Sequence, residues 1–127
     1  MERILLIDDD RLNRRVFRMI LSKEGYDVIE AEDGDTGLRM VKSDTPDIVI
    51  TDFLMPGING LDVLSEIRKL KIYIPVIMLT AFGDFALTNN AIQLGAFDLL
   101  EKPVSPEHLK TTVSNAIKSV KRSVSHV

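Results

Sequence analysis

The chain has 127 residues, of which 45% are hydrophobic and 28% charged, and its formal net charge is −3. This length forms one domain with a substantial core, and the apolar content excludes intrinsic disorder. The absence of cysteine excludes a disulfide scaffold and cysteine-based zinc sites, and a pI near 5.3 argues against direct nucleic-acid binding by this domain.

Short apolar runs exclude a membrane-spanning segment. The longest have about four to six residues, whereas a bilayer span needs about 20. The first run, residues 4–7, ends at Asp8, which is too early for the core of a signal peptide. We therefore expect a cytoplasmic protein without membrane association.

Five apolar clusters alternate with helical patterns along the chain. The clusters contain β-branched residues, are flanked by Asp, Gly or Pro, and predict strands at residues 4–7, 28–29, 48–50, 76–79 and 97–100. Helices are predicted after each of them, at residues 11–24, 35–44, 59–71, 84–94 and 106–121. The fourth helical pattern is weak, because Thr88, Asn89 and Asn90 favour a helix poorly.

The order of these elements predicts an α/β fold. Alternating strands and helices form a doubly wound five-stranded parallel sheet, with helices on both faces and right-handed crossovers. In such sheets ligands bind at the carboxyl ends of the strands. The expected domain covers residues 1–121, and residues 122–127 form a C-terminal tail or the start of a linker.

Charged and polar side chains gather at those carboxyl ends. They follow four of the five strands: Asp8, Asp9 and Asp10 the first, Asp52 the third, Thr80 the fourth and Lys102 the fifth. Packing does not require clustered carboxylates, which repel one another, and Lys102 alone does not offset them. Oxygen ligands of this kind suit Mg²⁺. We interpret the rim as a Mg²⁺-assisted phosphoryl site, where a carboxylate carries an aspartyl-phosphate while a lysine and a hydroxyl hold phosphoryl oxygens.

Each of these residues also has a simpler structural interpretation. Asp10 precedes a helix and is expected to cap it, and Asp52 alone could cap the turn that follows it. Taken singly, Thr80 would be a satisfied strand-end hydroxyl and Lys102 a solvated lysine. Their shared position on one predicted rim favours the functional interpretation.

Four motifs occur in order, each at the end of a predicted strand. They are ILLIDDD at residues 4–10, DFLMPGING at 52–60, LTA at 79–81 and KP at 102–103. Through these motifs the chain resembles, from residue 2 to about 121, the response-regulator receiver domain of two-component signalling, the fold of the chemotaxis response regulator. The resemblance implies a flavodoxin-like (βα)5 fold with strand order 2-1-3-4-5.

The family resemblance also implies a role for each matching position. Asp52 would be the phosphoacceptor. Its carboxylate would hold Mg²⁺ together with the carboxylate of Asp9, which would bind the ion directly, and the backbone carbonyl of Leu54. Asp8 would help to hold the ion, often through a water molecule. The phosphoryl oxygens would be bound by three groups, the hydroxyl of Thr80, the amide of Ala81 and the ammonium of Lys102. The Lys102–Pro103 peptide bond would be cis.

The implied function is that of a phosphoacceptor switch in a histidine-to-aspartate phosphorelay. A sensor histidine kinase or a phosphotransfer protein would donate the phosphoryl group. The face formed by the fourth helix, fifth strand and fifth helix would then shift and act on an effector domain or protein, such as the output domain of a transcription regulator. Such a chain is a signalling domain rather than an enzyme, although it catalyses its own phosphorylation and slow dephosphorylation. The C-terminal end carries no stop signal, which slightly favours a receiver cut from a longer protein.

Three positions depart from the pattern of many relatives. Leu99 stands where many receivers carry Tyr or Phe, so we expect a smaller aliphatic switch in place of an aromatic one. Leu54 and Phe82 are expected to flank the phosphoryl group. Because apolar side chains offer water no hydrogen bond, these two residues predict slow self-dephosphorylation.

Two other functions compete with this one. A haloacid-dehalogenase-type phosphatase also has an Asp nucleophile after strand one and a second Asp two residues later, as Asp8 and Asp10 are. Such phosphatases continue with Gly-Thr, however, where this chain has Arg11-Leu12. A flavodoxin-like FMN-binding module has the same sheet topology, but here acids occupy the loop that would bind the FMN phosphate and would repel it.

Overall fold

The computed structural model describes residues 1–81 and 85–125, with side chains for 1–81 and 86–121. Within this range strands and helices alternate as predicted. The strands are β1 (Arg3–Ile7), β2 (Asp27–Ala31), β3 (Ile48–Asp52), β4 (Val76–Thr80) and β5 (Asp98–Glu101). The helices are α1 (Arg11–Lys23), α2 (Gly34–Ser43), α3 (Gly60–Lys69), α4 (Phe85–Gln93) and α5 (Pro106–Ser125).

The helices differ from prediction mainly at the end of the chain. The last helix was expected to end at residue 121, but α5 continues to Ser125. Residues 122–125 contain no Gly or Pro, the residues that most often end a helix. The weak pattern at 84–94 is nevertheless helical over Phe85–Gln93. In the described part of the chain, no helix is both long and apolar enough to span a bilayer.

The sheet has the order β2-β1-β3-β4-β5, and every neighbouring pair is parallel. This confirms the predicted doubly wound sheet with strand order 2-1-3-4-5. Ile7 of β1 lies opposite Thr51 of β3, and Asp52 lies opposite Leu79 of β4. The three central strands therefore end almost level, and the residues that follow them meet at one rim.

The core lies on both faces of the sheet. Alternate residues of β1 point to opposite sides, since Leu5 and Ile7 pack with α2, α3 and α4, whereas Ile4 and Leu6 pack with α1 and α5. Burial of each such side chain contributes about 1.5–3 kcal/mol. The apolar strands are thereby fixed between two helical layers, and their ends hold the rim in place.

Capping residues fix where α1, the helix beside that rim, begins and ends. The side chain of Asp10 accepts hydrogen bonds from the amides of Leu12 at 2.9 Å and Asn13 at 3.3 Å, which confirms its predicted capping role. Gly25, with φ +91°, ends the helix in the left-handed conformation that glycine adopts readily.

Candidate functional site

Three carboxylates meet at the carboxyl ends of β1 and β3. Asp8 and Asp9 follow β1, and Asp52 is the last residue of β3. One carboxylate oxygen from each lies within 4.8 Å of the other two. Asp8 and Asp52 are buried, with 4% and 7% exposure, while Asp9 is exposed. The sequence placed these acids on one rim, and the structure brings them into one cluster.

Asp8 is held by nearly all of its polar atoms. Its amide donates to the carbonyl of Ala31 at 3.1 Å, and its Oδ1 accepts from the amide of Asp10 at 2.9 Å. Its carbonyl accepts from Nη1 of Arg14 at 2.5 Å. The remaining oxygen, Oδ2, is buried and has no hydrogen-bond partner among the described residues. A buried acceptor left in this state is costly, so Oδ2 is available to a cation.

The surroundings of Asp8 oppose its ionisation. Burial raises the pKa of its carboxyl group, and the charges of Asp52 and Asp9 raise it further. The hydrogen bond from the Asp10 amide and the charge of Lys102 act in the opposite direction but do not overcome the increase. The cluster is therefore short of positive charge.

The ammonium group of Lys102 forms an ion pair with one carboxylate of this acidic cluster. Its Nζ lies 2.8 Å from Oδ2 of Asp52, and its side chain is 31% exposed. Its amide donates to the carbonyl of Thr80 at 2.8 Å, which ties the end of β5 to β4, and the Lys102–Pro103 bond is cis as expected. In a formal count with every group in its ionised form, three carboxylates and one ammonium give these four side chains a charge of −2.

Thr80 and Ala81 lie at the end of β4, on the other side of β3 from Asp8. The Thr80 hydroxyl donates to the carbonyl of Ala81 at 2.8 Å, and Thr80 is only 8% exposed. The hydroxyl is thus committed to a neighbouring backbone group in this structure. It would have to rotate before it could bind a phosphoryl oxygen.

The loop after β3 is closed by a backbone hydrogen bond and by a close approach of two backbone segments that only glycine permits. The amide of Gly60 donates to the carbonyl of Phe53 at 2.8 Å. A Cβ atom at Gly60 would lie 2.6 Å from the carbonyl oxygen of Asp52, closer than such atoms approach. The loop contains Leu54, a residue that is 69% exposed. Phe82, the other predicted flanking residue, follows β4 and lies outside the described residues.

Sequence reasoning missed two residues at this site, Arg14 and Glu30. Arg14 belongs to the helix predicted at residues 11–24 and has no predicted role there, but its side chain is only 12% exposed and contacts Asp8. Glu30 of β2 pairs with it. A signal was available, because a charged residue in a strand covered on both faces needs a partner.

Comparison with known proteins gives a consistent family. A sequence model of the response regulator receiver domain matches residues 4–114. The probable transcriptional regulator ycf27 of Porphyridium aerugineum is 38% identical over 125 residues, covering 98% of this chain and 52% of that protein. The alkaline phosphatase synthesis transcriptional regulatory protein PhoP of Bacillus subtilis is 32% identical over 112 residues, covering 88% and 47%. The chain spans about half the length of the curated relatives it matches.

Solved structures agree with this result. A response regulator receiver domain protein from Clostridium thermocellum is 36% identical, with a TM-score of 0.90 over 95% of this chain and 98% of that one. A CheY-like receiver domain from Methanospirillum hungatei is 25% identical, with a TM-score of 0.93 over 97% and 98%. These findings give no support to a phosphatase or an FMN-binding module. The matched region includes the acidic cluster and Lys102, and the chain therefore belongs to the response regulator receiver domains of two-component signalling.

Proposed function

We propose that Asp52 is the phosphoacceptor of this receiver domain and that its carboxylate, with those of Asp8 and Asp9, holds Mg²⁺. The observation that carries the proposal is the cluster of three carboxylates within 4.8 Å, in which Asp8 Oδ2 is buried without a partner. The net charge of −2 and the all-oxygen donor set fit Mg²⁺, which prefers carboxylates and retains several waters. The carbonyl of Leu54 is the expected fourth protein ligand.

In the proposed reaction, Asp52 acts as the nucleophile. A carboxylate oxygen of Asp52 forms a bond to phosphorus while the bond to the donor's histidine nitrogen breaks, and that nitrogen keeps the electron pair. Bound Mg²⁺ would reduce the repulsion between the carboxylate and the incoming phosphoryl group. Lys102, already 2.8 Å from Asp52, would transfer its contact to a phosphoryl oxygen.

Phosphorylation would then act through Thr80. Its hydroxyl would leave the carbonyl of Ala81 and bind a phosphoryl oxygen, together with the Ala81 amide. The shift would pass to the face of α4, β5 and α5 as a change in the populations of two states. Leu99 of β5 is partly buried against the α2, α3 and α4 side of the core, and we propose that it replaces the usual aromatic switch residue. Apolar Leu54 and Phe82 support slow loss of the phosphoryl group.

The relatives support a proposal about the longer protein to which this domain could belong. The curated relatives named above are transcriptional regulators about twice the length of this chain. We propose that residues 1–121 are the receiver and that residues 122–127, of which 122–125 continue α5, begin a linker to an output domain. A sensor histidine kinase or a phosphotransfer protein in the cytoplasm would be the phosphoryl donor.

Incubation with Mg²⁺ and acetyl phosphate, followed by intact mass measurement, tests this proposal. We expect the gain of one phosphoryl group, which requires Mg²⁺ and is absent in Asp52→Asn. Asp98→Asn is a matched control, because Asp98 is an exposed aspartate at the start of β5, at the opposite end of the strand from the cluster. A phosphoryl group that persists in Asp52→Asn would show that another residue is the acceptor.

A further inference from the structure

Arg14 connects the acidic turn after β1 to the neighbouring strand. Its Nη1 donates to the carbonyl of Asp8 at 2.5 Å, and its Nε donates to Oε1 of Glu30 at 3.0 Å. The guanidinium is planar and holds its donors in a rigid fork, so binding both acceptors fixes its orientation. The side chain is only 12% exposed, which distinguishes it from an ordinary solvated arginine.

Glu30 is the fixed end of this connection. It lies in β2 opposite Leu6 of β1, one position before the pair that adjoins Asp8. Its Oε2 accepts from Nη1 of Arg18 at 2.7 Å, so one carboxylate binds two arginines of α1. Burial tends to raise the pKa of Glu30, but the hydrogen bonds and charges of Arg18 and Arg14 outweigh burial and lower it. Glu30 is therefore ionised at neutral pH and anchors the Arg14 guanidinium.

The contact between Arg14 and Asp8 lies in the turn after β1, where neighbouring carboxylates repel one another. Asp8 and Asp9 are drawn close to Asp52 although all three repel one another. Without an anchor, the turn would relieve this repulsion by moving away from β3. Arg14 opposes that movement through the Asp8 carbonyl, on the same residue whose Oδ1 is held by the Asp10 amide. These contacts leave Oδ2 of Asp8 without a hydrogen-bond partner among the described residues.

We propose that Arg14, anchored by Glu30, is a positioning residue that holds the Asp8 carboxylate in place for the divalent cation. The inference rests on the proposed function insofar as it takes the acidic cluster to be the Mg²⁺ site. Arg14 does not touch the cation in this arrangement. It binds the backbone carbonyl of Asp8 and so orients a metal ligand without binding the cation, the general role of residues that bond to metal ligands.

The charge of Arg14 and its positioning role predict opposite changes in Mg²⁺ affinity when this side chain is removed. A guanidinium near an acidic site competes electrostatically with a cation, so removal of charge alone would tighten Mg²⁺ binding. Loss of positioning would weaken it. Arg18 provides the matched control, because it pairs with the same carboxylate from the same helix but is 55% exposed and is bonded to Glu30 rather than to Asp8.

The test is a Mg²⁺ titration of the whole chain, followed by amide NMR signals without any phosphoryl donor. We expect Arg14→Ala to raise the Mg²⁺ dissociation constant about tenfold. Arg18→Ala should leave it within about twofold of the wild-type value, as expected for an exposed charge. Arg14→Lys keeps the charge and most of the apolar stem, and it serves if the alanine variant fails to fold. Because one ammonium does not reproduce the two-armed contact, we expect weakened binding in this variant as well.

Three results would overturn the inference. They are unchanged or tighter Mg²⁺ binding in Arg14→Ala, equal weakening in Arg18→Ala, and full wild-type affinity in Arg14→Lys. Acetyl phosphate labelling of the same proteins separates this inference from the proposed function. If the wild-type protein is labelled but the Arg14 variants bind Mg²⁺ with unaltered affinity, only the positioning role of Arg14 is refuted. If the Mg²⁺ affinities are as expected but Asp52 is not labelled, only the phosphoacceptor role of Asp52 is refuted.

Discussion

Replacement of Asp8 by asparagine is expected to stabilise the Mg²⁺-free protein at neutral pH. The change removes one charge from the cluster and keeps a side-chain oxygen that can accept from the Asp10 amide, as Oδ1 does now. It also replaces the unpartnered Oδ2 by a neutral amide group. The same change should remove most of the stabilisation that Mg²⁺ gives the wild-type protein.

The size of the effect follows from the separation of the carboxylates. At 4.8 Å, the upper limit of their separation, two unit charges repel by about 3.5 kcal/mol at an effective dielectric constant of about 20, and by about 1 kcal/mol in bulk water. Lys102 cancels part of the charge of Asp52, and the unfolded chain retains some repulsion between the adjacent Asp8 and Asp9. We therefore expect a net gain of about 1–2 kcal/mol, or roughly 3–8 °C in Tm for a domain of this size.

The pH dependence has a definite sign. Burial raises the pKa of Asp8 in the folded state, so its ionisation costs stability, and the wild-type protein is destabilised as pH rises from the unfolded toward the folded pKa. The Asp8→Asn protein has no such loss. Its advantage should be present at neutral pH and should disappear below about pH 4, where the unfolded aspartate is also protonated.

Thermal unfolding followed by circular dichroism, with EDTA and then with Mg²⁺, measures both effects. Asp9→Asn is the matched control, because Asp9 is an exposed member of the same cluster and its removal should give a smaller gain. Lower stability of Asp8→Asn in EDTA would refute the view that repulsion dominates at this site. An equal Mg²⁺-induced rise in Tm for Asp8→Asn and wild type would refute the role of Asp8 in binding the cation.

Three further changes test other parts of the site. Gly60→Ala should lower the free energy of unfolding by about 2 kcal/mol, because its Cβ would lie 2.6 Å from the Asp52 carbonyl oxygen; unchanged urea denaturation would contradict this. Lys102→Met should tighten Mg²⁺ binding, since the cation that competes for Asp52 is removed, and should slow acetyl phosphate labelling; weaker Mg²⁺ binding would be inconsistent with that competition. Glu30→Gln should cost about 1 kcal/mol in urea denaturation at pH 7. Because the folded pKa of Glu30 is lowered, this difference should vanish as pH falls through that pKa, and a difference that persists in acid would exclude the ion pair with Arg14 as its cause.

Much of the fold could be predicted because its signals are local. Continuous apolar runs such as residues 48–50 predict strands buried on both faces, and Gly25 and Pro106 mark helix boundaries through their backbone preferences. The end of α5 could not be predicted in this way. Residues 122–125 neither favour nor forbid a helix strongly, so its length depends on tertiary context.

The acidic cluster could be predicted from the sequence because of the sheet topology, whereas the side-chain contacts around it could not. Parallel strands bring their carboxyl ends together, which places Asp8 and Asp52 at one rim whatever the details of packing. Apolar periodicity does not show which side of α1 faces the core, because Leu12, Val16 and Met19 are exposed. Arg14 lies on the same side of the helix as the core residues Phe17 and Leu21, and its contact with Asp8 was therefore not predictable from the apolar pattern. The commitment of the Thr80 hydroxyl to the Ala81 carbonyl depends on a rotamer that residue type does not specify.

The parallel topology also shapes the electrostatic potential of the rim through its helices. Each helix begins after the carboxyl end of a strand, so the amino termini of the helices lie on the same side of the sheet as the carboxylates. Aligned peptide dipoles place roughly half a positive charge at each such terminus. At the amino terminus of α1, next to Asp8 and Asp9, the carboxylate of Asp10 caps the helix and offsets part of this charge. The potential at the rim is therefore less negative than its side chains alone imply, which would help the proposed site to accept first a cation and then a phosphoryl anion.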